Sequence, residues 1–461
     1  MVLLLLCRRE EELYSKAYYW REARFTFRSG DQMKARKGIT HSASFKLLAG
    51  FFITILCGSI LLSLPFSHKE GVSISFLDAL FVSTSAVCVT GLTPVVLRDT
   101  FSVGGCVVIT LLMQIGGLGF AAFAGALLLI MKQNFRGTLL KESYGVTNSR
   151  IKSLIIIIAL SSLFCELVGF ILLFIFLLPY YAPLDALGYS IFHTISAFNN
   201  AGLDLFGTSL EAFSSHVGIN LSVAFLIITG GIGFVVYLDI EENRKKSIKK
   251  LSIQTKVVLI TTTILIIVGT LLFYFSGDMS LLQSFFQSVT SRTAGFDTIP
   301  QVSLSGYSQF LTIVLMFIGA SPGSTGGGIK TTTFFTLAVT FYAIIRQKSP
   351  TCFRRRIAET SVRKAQAVLM ISLAIVFIFT LAILRIEEHT GVAPLAILFE
   401  VVSAFATVGL SASITPLLSV TSRILLIILM FVGRVGPLTV TSLLERKKEN
   451  LNYVEETMNI G

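Results

Sequence analysis

The amino-acid sequence predicts an all-α polytopic membrane protein, built from four tandem repeats of outer helix, half-helix and inner helix with eight full transmembrane spans. Three observations carry that expectation. First, 53% of the 461 residues are apolar and 14% are charged, about half the charged share of a soluble chain. With 36 Gly to let helix backbones approach closely, this excludes an ordinary cytosolic enzyme and a disordered chain. Second, eight apolar runs are long enough to cross about 30 Å of hydrocarbon at about 20 residues each. Third, four shorter semi-apolar stretches lie between successive pairs of those runs, each ending in a small polar loop with a Gly.

In chain order the long runs are 45–65, 103–131, 151–178, 217–240, 256–276, 307–345, 365–385 and 421–444, and the short ones are 74–90, 185–201, 280–294 and 395–408. The short stretches cannot cross, so each reads as a re-entrant helix followed by irregular backbone, which is tolerated at membrane depth only inside protein or beside water. The expected division is a cytoplasmic N-terminal segment (1–44), repeats over 45–131, 132–240, 241–345 and 346–444, and a cytoplasmic tail (445–461). Orientation follows from the positive-inside rule. Of 38 Lys and Arg, 31 fall in segments that this topology places on one side, so both termini are expected in the cytoplasm. The net charge of +12 is then mostly topological bias and calls for no nucleic-acid partner. The basic clusters 244–250 and 354–356 suit either a docking partner or a solvated, lipid-facing role. The six Cys, with no CxxC, are expected to be buried free thiols.

Set beside one another, the short stretches repeat. Each ends at a Gly next to an apolar residue: Thr90-Gly91-Leu92, Ala201-Gly202-Leu203, Ala294-Gly295-Phe296 and Val408-Gly409-Leu410, with Ser85 and Ser196 six residues before the first two glycines. One such Gly would indicate helix packing; four in register, each after a half-helix, indicate four copies around a central cation pore. A filter for alkali cations replaces the ion's water shell with backbone carbonyls. Gly leaves the axis clear and adopts backbone conformations closed to other residues. The half-helices would aim negative ends of about half a charge at the ion.

The runs Ile195-Ser196-Ala197-Phe198-Asn199-Asn200-Ala201-Gly202 and Arg292-Thr293-Ala294-Gly295-Phe296 resemble signatures of the Trk/Ktr/HKT superfamily of potassium transporters. The resemblance extends over about residues 45–445. It implies a filter in which Thr90, Gly91, Ala201, Gly202, Ala294, Gly295, Val408 and Gly409 bind the ion, supported by Asn199, Asn200, Arg292, Thr293 and Thr407. Gly91, where sodium-permeable plant members carry Ser, implies potassium as the transported ion. Sodium permeation or coupling in the same fold stays open as the alternative. About 44 residues before the first span point to the smaller Ktr-type pore subunit, and hence to a homodimer over a cytosolic ring of nucleotide-binding regulatory subunits.

The third inner run contains Ser321-Pro322-Gly323-Ser324-Thr325-Gly326-Gly327-Gly328-Ile329-Lys330, where Gly and Pro abandon helix propensity at mid-membrane. Gly323, Ser324, Thr325, Gly326, Gly327, Gly328 and Lys330 are expected to form a gate, which is also what the resemblance implies. Lys330 falls one residue out of P-loop register, so no nucleotide is expected on this chain. Arg434, an ionisable residue in a span and hence a functional expectation, matches a family arginine beside the gating loop. Gly pairs at 116–117 and 230–231 are expected to pack helices, and Glu166 to be a hydrogen-bonded structural carboxyl or a coupling site. Arg292 is expected to be a buried strut paired with a carboxylate. Five scattered His and the absence of HExxH and GxSxG leave no enzyme constellation. An unrelated secondary transporter would carry inverted or twofold repeats instead.

Overall fold

A computed structural model describes residues 43–119, 150–244 and 250–436. Most of the expected segments 1–44 and 132–152, and all of 445–461, lie outside the described residues.

The described chain is mostly helical. The first unit consists of α1 (Ala43–Ser63), the short α2 (Phe76–Cys88) and α3 (Val103–Leu118). The second consists of α4 (Ile151–Leu177), α5 (Pro183–Phe198), α6 (Val217–Ile232) and α7 (Phe234–Glu242). Then come α8 (Ile253–Phe275), α9 (Leu281–Thr290), α10 (Gly306–Phe317) and α11 (Thr331–Ile345). A hairpin of β1 (Thr351–Cys352) and β2 (Arg355–Arg356), antiparallel with Thr351 opposite Arg356, precedes α12 (Glu359–Ile386), α13 (Pro394–Ala406) and α14 (Val420–Val435).

Local chemistry sets where the short helices begin. Ser75 caps α2 by accepting from Asp78 N–H, Ser280 and Gln283 form a capping box on α9, and Pro183 and Pro394 start α5 and α13, where the missing N–H costs nothing. The inner helices α3, α10 and α14 begin at Ser102, Ser305 and Ser419, and α6 at His216, each side chain accepting a backbone N–H from the first turn. At two of these starts a carboxylate from the end of the preceding outer helix adds to the cap. Asp278 accepts from Ser305 and Ser308 (2.6 and 2.5 Å), and Glu387 from Ser419 and Ser422 (both 2.6 Å).

Among the described residues, α1 (from Phe45), α4, α8 and α12 are long and apolar enough to span a membrane, and α6 with α7 makes a fifth candidate bent by 79° at Gly233. The eight expected spans therefore do not all stand as single helices. The run 307–345 is split into α10 and α11 by a non-helical segment, while 103–131 and 421–444 are helical through Leu118 and Val435 and lie outside the described residues beyond Gly119 and Gly436. The bend between α6 and α7 falls on Gly233, and α3 and α14 end at Gly119 and Gly436, with φ of 99°, 81° and 91°, a region that strains any residue with a Cβ.

The short helices lie at the centre. Their Ser and Thr as well as their apolar residues are buried, including Ser83, Thr84 and Ser85 of α2 and Ser403 of α13. Each is cradled by its own outer and inner helices, and additionally by the inner helix of the preceding unit: α3 on α5, α6 on α9, α10 on α13, and α14 back on α2. Among the described residues Cys57, Cys88, Cys106, Cys165 and Cys352 are free thiols. Only Cys88 and Cys165 are buried, and Cys57 lies exposed on α1, correcting the expectation of uniform burial.

Candidate functional site: a ring of four glycine strands

The segments after α2, α5, α9 and α13 meet at one point. Gly91, Gly202, Gly295 and Gly409 have φ of 102°, 66°, 78° and 95°. A Cβ on Gly91 would lie 2.7 Å from Ala201 O, and one on Gly202 would lie 2.5 Å from Ala294 O. On Gly295 it would overlap Val408 O, and on Gly409 it would overlap Thr90 O. Each glycine thus abuts the carbonyl preceding the next glycine, the last returning to the first. No side chain larger than hydrogen fits at these four positions without moving backbone.

Each strand's N–H groups are drawn back toward its short helix. Thr90, Ala201 and Val408 N–H donate to Ser85, Ser196 and Ser403 O at 2.8, 2.8 and 2.9 Å. The hydroxyls of Ser85 and Ser403 accept from Gly91 and Gly409 N–H at 2.9 and 3.0 Å. Ser196 Oγ instead donates to Leu203 O at 2.7 Å. Two residues before these three glycines, Val89, Asn200 and Thr407 adopt φ of 51°, 56° and 49°, costing about 1–2 kcal/mol for a residue with a Cβ. The third strand differs. Its helical turn continues through Arg292, with Ala294 N–H on Thr290 O (2.9 Å) and Thr290 Oγ1 accepting from Phe296 N–H (2.9 Å).

Side chains lock strand to strand. Asn200 pairs with Thr293 Oγ1 at 2.6 Å; with its amide oxygen facing that hydroxyl, its nitrogen donates to Ala197 O and Ile227 O at 3.0 and 3.2 Å. Asn199 Nδ2 donates to Gln114 Oε1 (2.7 Å), and Gln114 Nε2 donates to Glu166 Oε1 (2.9 Å). This chain runs from the second strand through α3 to α4 and makes Glu166 a hydrogen-bonded carboxyl. Gln114 had no functional signal in the sequence, since its partners lie 52 and 85 residues away. His193 Nδ1 contacts Tyr189 O (2.7 Å) and its Nε2 accepts from Leu205 N–H (3.2 Å), which fixes a neutral ring stacked on Phe206.

The glycines of the inner helices sit under the ends of the short ones. A Cβ on Gly116, Gly230 or Gly433 would overlap Val87 O, Phe198 O or Phe405 O respectively.

Residues 318–330 form a loop directly against the strands. A Cβ on Gly326 would meet Thr293 at 2.7 Å, and one on Gly327 would overlap Thr407 Oγ1. Thr325 N–H donates to Gly230 O (3.3 Å) and its hydroxyl to Phe198 O (3.3 Å), while Gly323 O accepts from Phe234 N–H (2.8 Å). Ser324 Oγ turns inward to Ser321 O (2.7 Å), and Gly328 takes φ 70°. Lys330 caps its own loop through Gly326 O at 2.7 Å. Arg434 reaches across from α14 to donate to Thr325 O of the loop and to Gly116 O of α3, with Gly117 O at 3.3 Å. Arg292 departs from expectation: among the described residues it has no carboxylate partner, because the turn that carries it faces α6 and α8, whose nearby side chains are apolar or hydroxylic.

Apolar spans surrounding a buried centre of backbone strands define an integral membrane protein of the cation-transport class. The chain belongs to the TrkH family of cation transport proteins, whose profile matches residues 32–277 and 276–454. It is 39% identical over 426 residues to the Ktr system potassium uptake protein B of Bacillus subtilis, covering 88% of this chain and 94% of the relative. It is 37% identical over 438 residues to the potassium/sodium uptake protein NtpJ of Enterococcus hirae, covering 90% and 96%. The crystal structure of the potassium transporter TrkH from Vibrio parahaemolyticus has the same fold, with a TM-score of 0.65 and 21% identity over 90% of this chain and 87% of that one. The family consists of cation transporters, not enzymes.

Proposed function

We propose that this chain takes up potassium across the cytoplasmic membrane through the ring of glycine strands. The observation that carries the proposal is the closed ring itself: four glycines in register, each against the carbonyl of the next strand, with the N–H groups of three strands drawn back to serines. Carbonyls not taken up by those N–H groups are then available to replace a hydration shell. In this reading Thr90, Ala201, Ala294 and Val408 with their glycines bind the ion, and Asn199, Asn200, Arg292, Thr293 and Thr407 hold the strands. The four units are pore repeats with eight spans in total, the second inner one bent at Gly233 and the third broken by residues 318–330 beneath the filter.

The loop 318–330 is the gate, because it lies against Thr293 and Thr407 and is tied to α14 through Arg434. Arg434 both holds the loop and places a positive charge in the ion's path. Both termini are cytoplasmic, and the subunit works as a homodimer over a nucleotide-binding regulatory ring; relatives named as parts of a Ktr system favour such a partner. A second reading, sodium-coupled or sodium-permeable transport, is favoured by the potassium/sodium name of the Enterococcus hirae relative.

The test is growth of a potassium-uptake-deficient bacterium expressing the chain with a cognate regulatory subunit, beside Gly91→Ser. Rescue at low potassium that weakens in Gly91→Ser is the expected outcome. A well-inserted native chain that fails to rescue would overturn the potassium assignment and leave the sodium reading.

A further inference from the structure

Behind the third strand, Arg292 lines a cavity of about 20 Å³ whose wall includes Ile228 and Gly231 of α6, Thr262 and Ile266 of α8, Thr293, and Ala320 of the gating loop. Arg292 is 7% exposed, forms no ion pair among the described residues, and its Nε has no hydrogen-bond partner. Thr262, also 7% exposed and on the same wall, has an unpartnered hydroxyl. A buried guanidinium without a counter-charge is strongly unfavourable. The C-terminal end of α9 offers only about half a negative charge, which leaves the site net positive behind a pore that must attract cations. The wall therefore carries a full positive charge that no carboxylate balances among the described residues.

We propose that this cavity binds one halide ion, chloride in the cell, which neutralises Arg292 behind the third strand. Size selects the class: the volume is slightly above the about 10–15 Å³ that one water-sized occupant needs, so phosphate and carboxylates do not fit. The isoleucines on the wall suit a weakly hydrated ion, and the Arg292 guanidinium supplies its counter-charge. Because Thr293 and Ala320 share the wall, and Thr293 also abuts Gly326, the ion stands where strand and gating loop meet. Its effect on cation discrimination rests on the pore reading above; its binding does not.

The full-length protein crystallised with bromide in place of chloride tests the site by anomalous scattering. A bromide peak beside Arg292 and Thr262, lost in Thr262→Ile, which fills the cavity, is expected. No peak beside Arg292 in the native protein, an ordered water only, overturns the proposal. In proteoliposomes, replacing chloride by gluconate should reduce discrimination of rubidium tracer against sodium, and bromide should restore it. Unchanged discrimination in gluconate would overturn the link between the anion and the strands. A protein that shows the peak but carries no rubidium in any medium would refute the potassium reading and leave the anion site standing.

Discussion

Replacing Arg434 with Ala removes the guanidinium that bridges α14, α3 and the loop. Its contacts to Gly116 O and Gly117 O anchor the arginine to α3, and the one to Thr325 O reaches the loop. A hydrogen bond to a charged group contributes about 1.5–3 kcal/mol, so the loop loses about that much of its hold. At about 1.4 kcal/mol per factor of ten, the ratio of closed to open loop falls about 10- to 150-fold. Where the closed loop dominates, rubidium uptake into proteoliposomes, normalised to inserted protein, should rise about tenfold or more by the same arithmetic. Arg434→Lys keeps the charge but not the planar fork that spans two carbonyls, so its uptake should fall between native and Ala. Unchanged or lower uptake in Arg434→Ala, at native levels of insertion, would refute the assignment of loop and arginine as a gate.

Gly230→Ala puts a Cβ onto Phe198 O and should destabilise the purified protein by about 1–3 kcal/mol, lowering its Tm in detergent. Gly188→Ala, on the same unit with nothing within 4 Å of the added Cβ, should leave Tm unchanged or slightly raised. Ser85→Ala strands the Gly91 N–H, a loss of about 1–3 kcal/mol that should show as stronger sodium competition with rubidium uptake. Ser305 and Ser308 hold the Asp278 carboxyl below the usual carboxylate range. Its contribution to stability is therefore complete above the unfolded value of about 3.9 and is lost as pH falls through the lower folded value. Asp278→Asn should flatten that acid limb in a Tm series against pH.

The helical membrane class and the family were legible in the sequence because both depend on local quantities: apolar run length, loop charge, and short Gly-containing runs such as Ser196–Gly202. The Ser six residues before a Gly was equally visible, and at Ser85 the structure shows the N–H it accepts, whereas Ser196 Oγ donates to Leu203 O instead. Local reading missed the 79° bend at Gly233, which divides the apolar run 217–240 into α6 and α7. Residues 307–345 form one apolar run by composition, and at the break that Pro and Gly predict within it the backbone of residues 318–330 bonds with α6, α7 and its own ends.

The amino-acid sequence by itself determined which segments would leave water and that the third inner run would break between 321 and 330, since hydrophobic burial and Gly and Pro conformational limits act within a few residues. Only the tertiary structure decided who meets whom. Arg434 finds Thr325 at a separation of 109 residues, and Asn199 finds Gln114 at 85. Arg292 finds no carboxylate among the described residues. Such pairings follow from how each inner helix packs on the next short helix and the last on the first, a closure that no local pattern encodes.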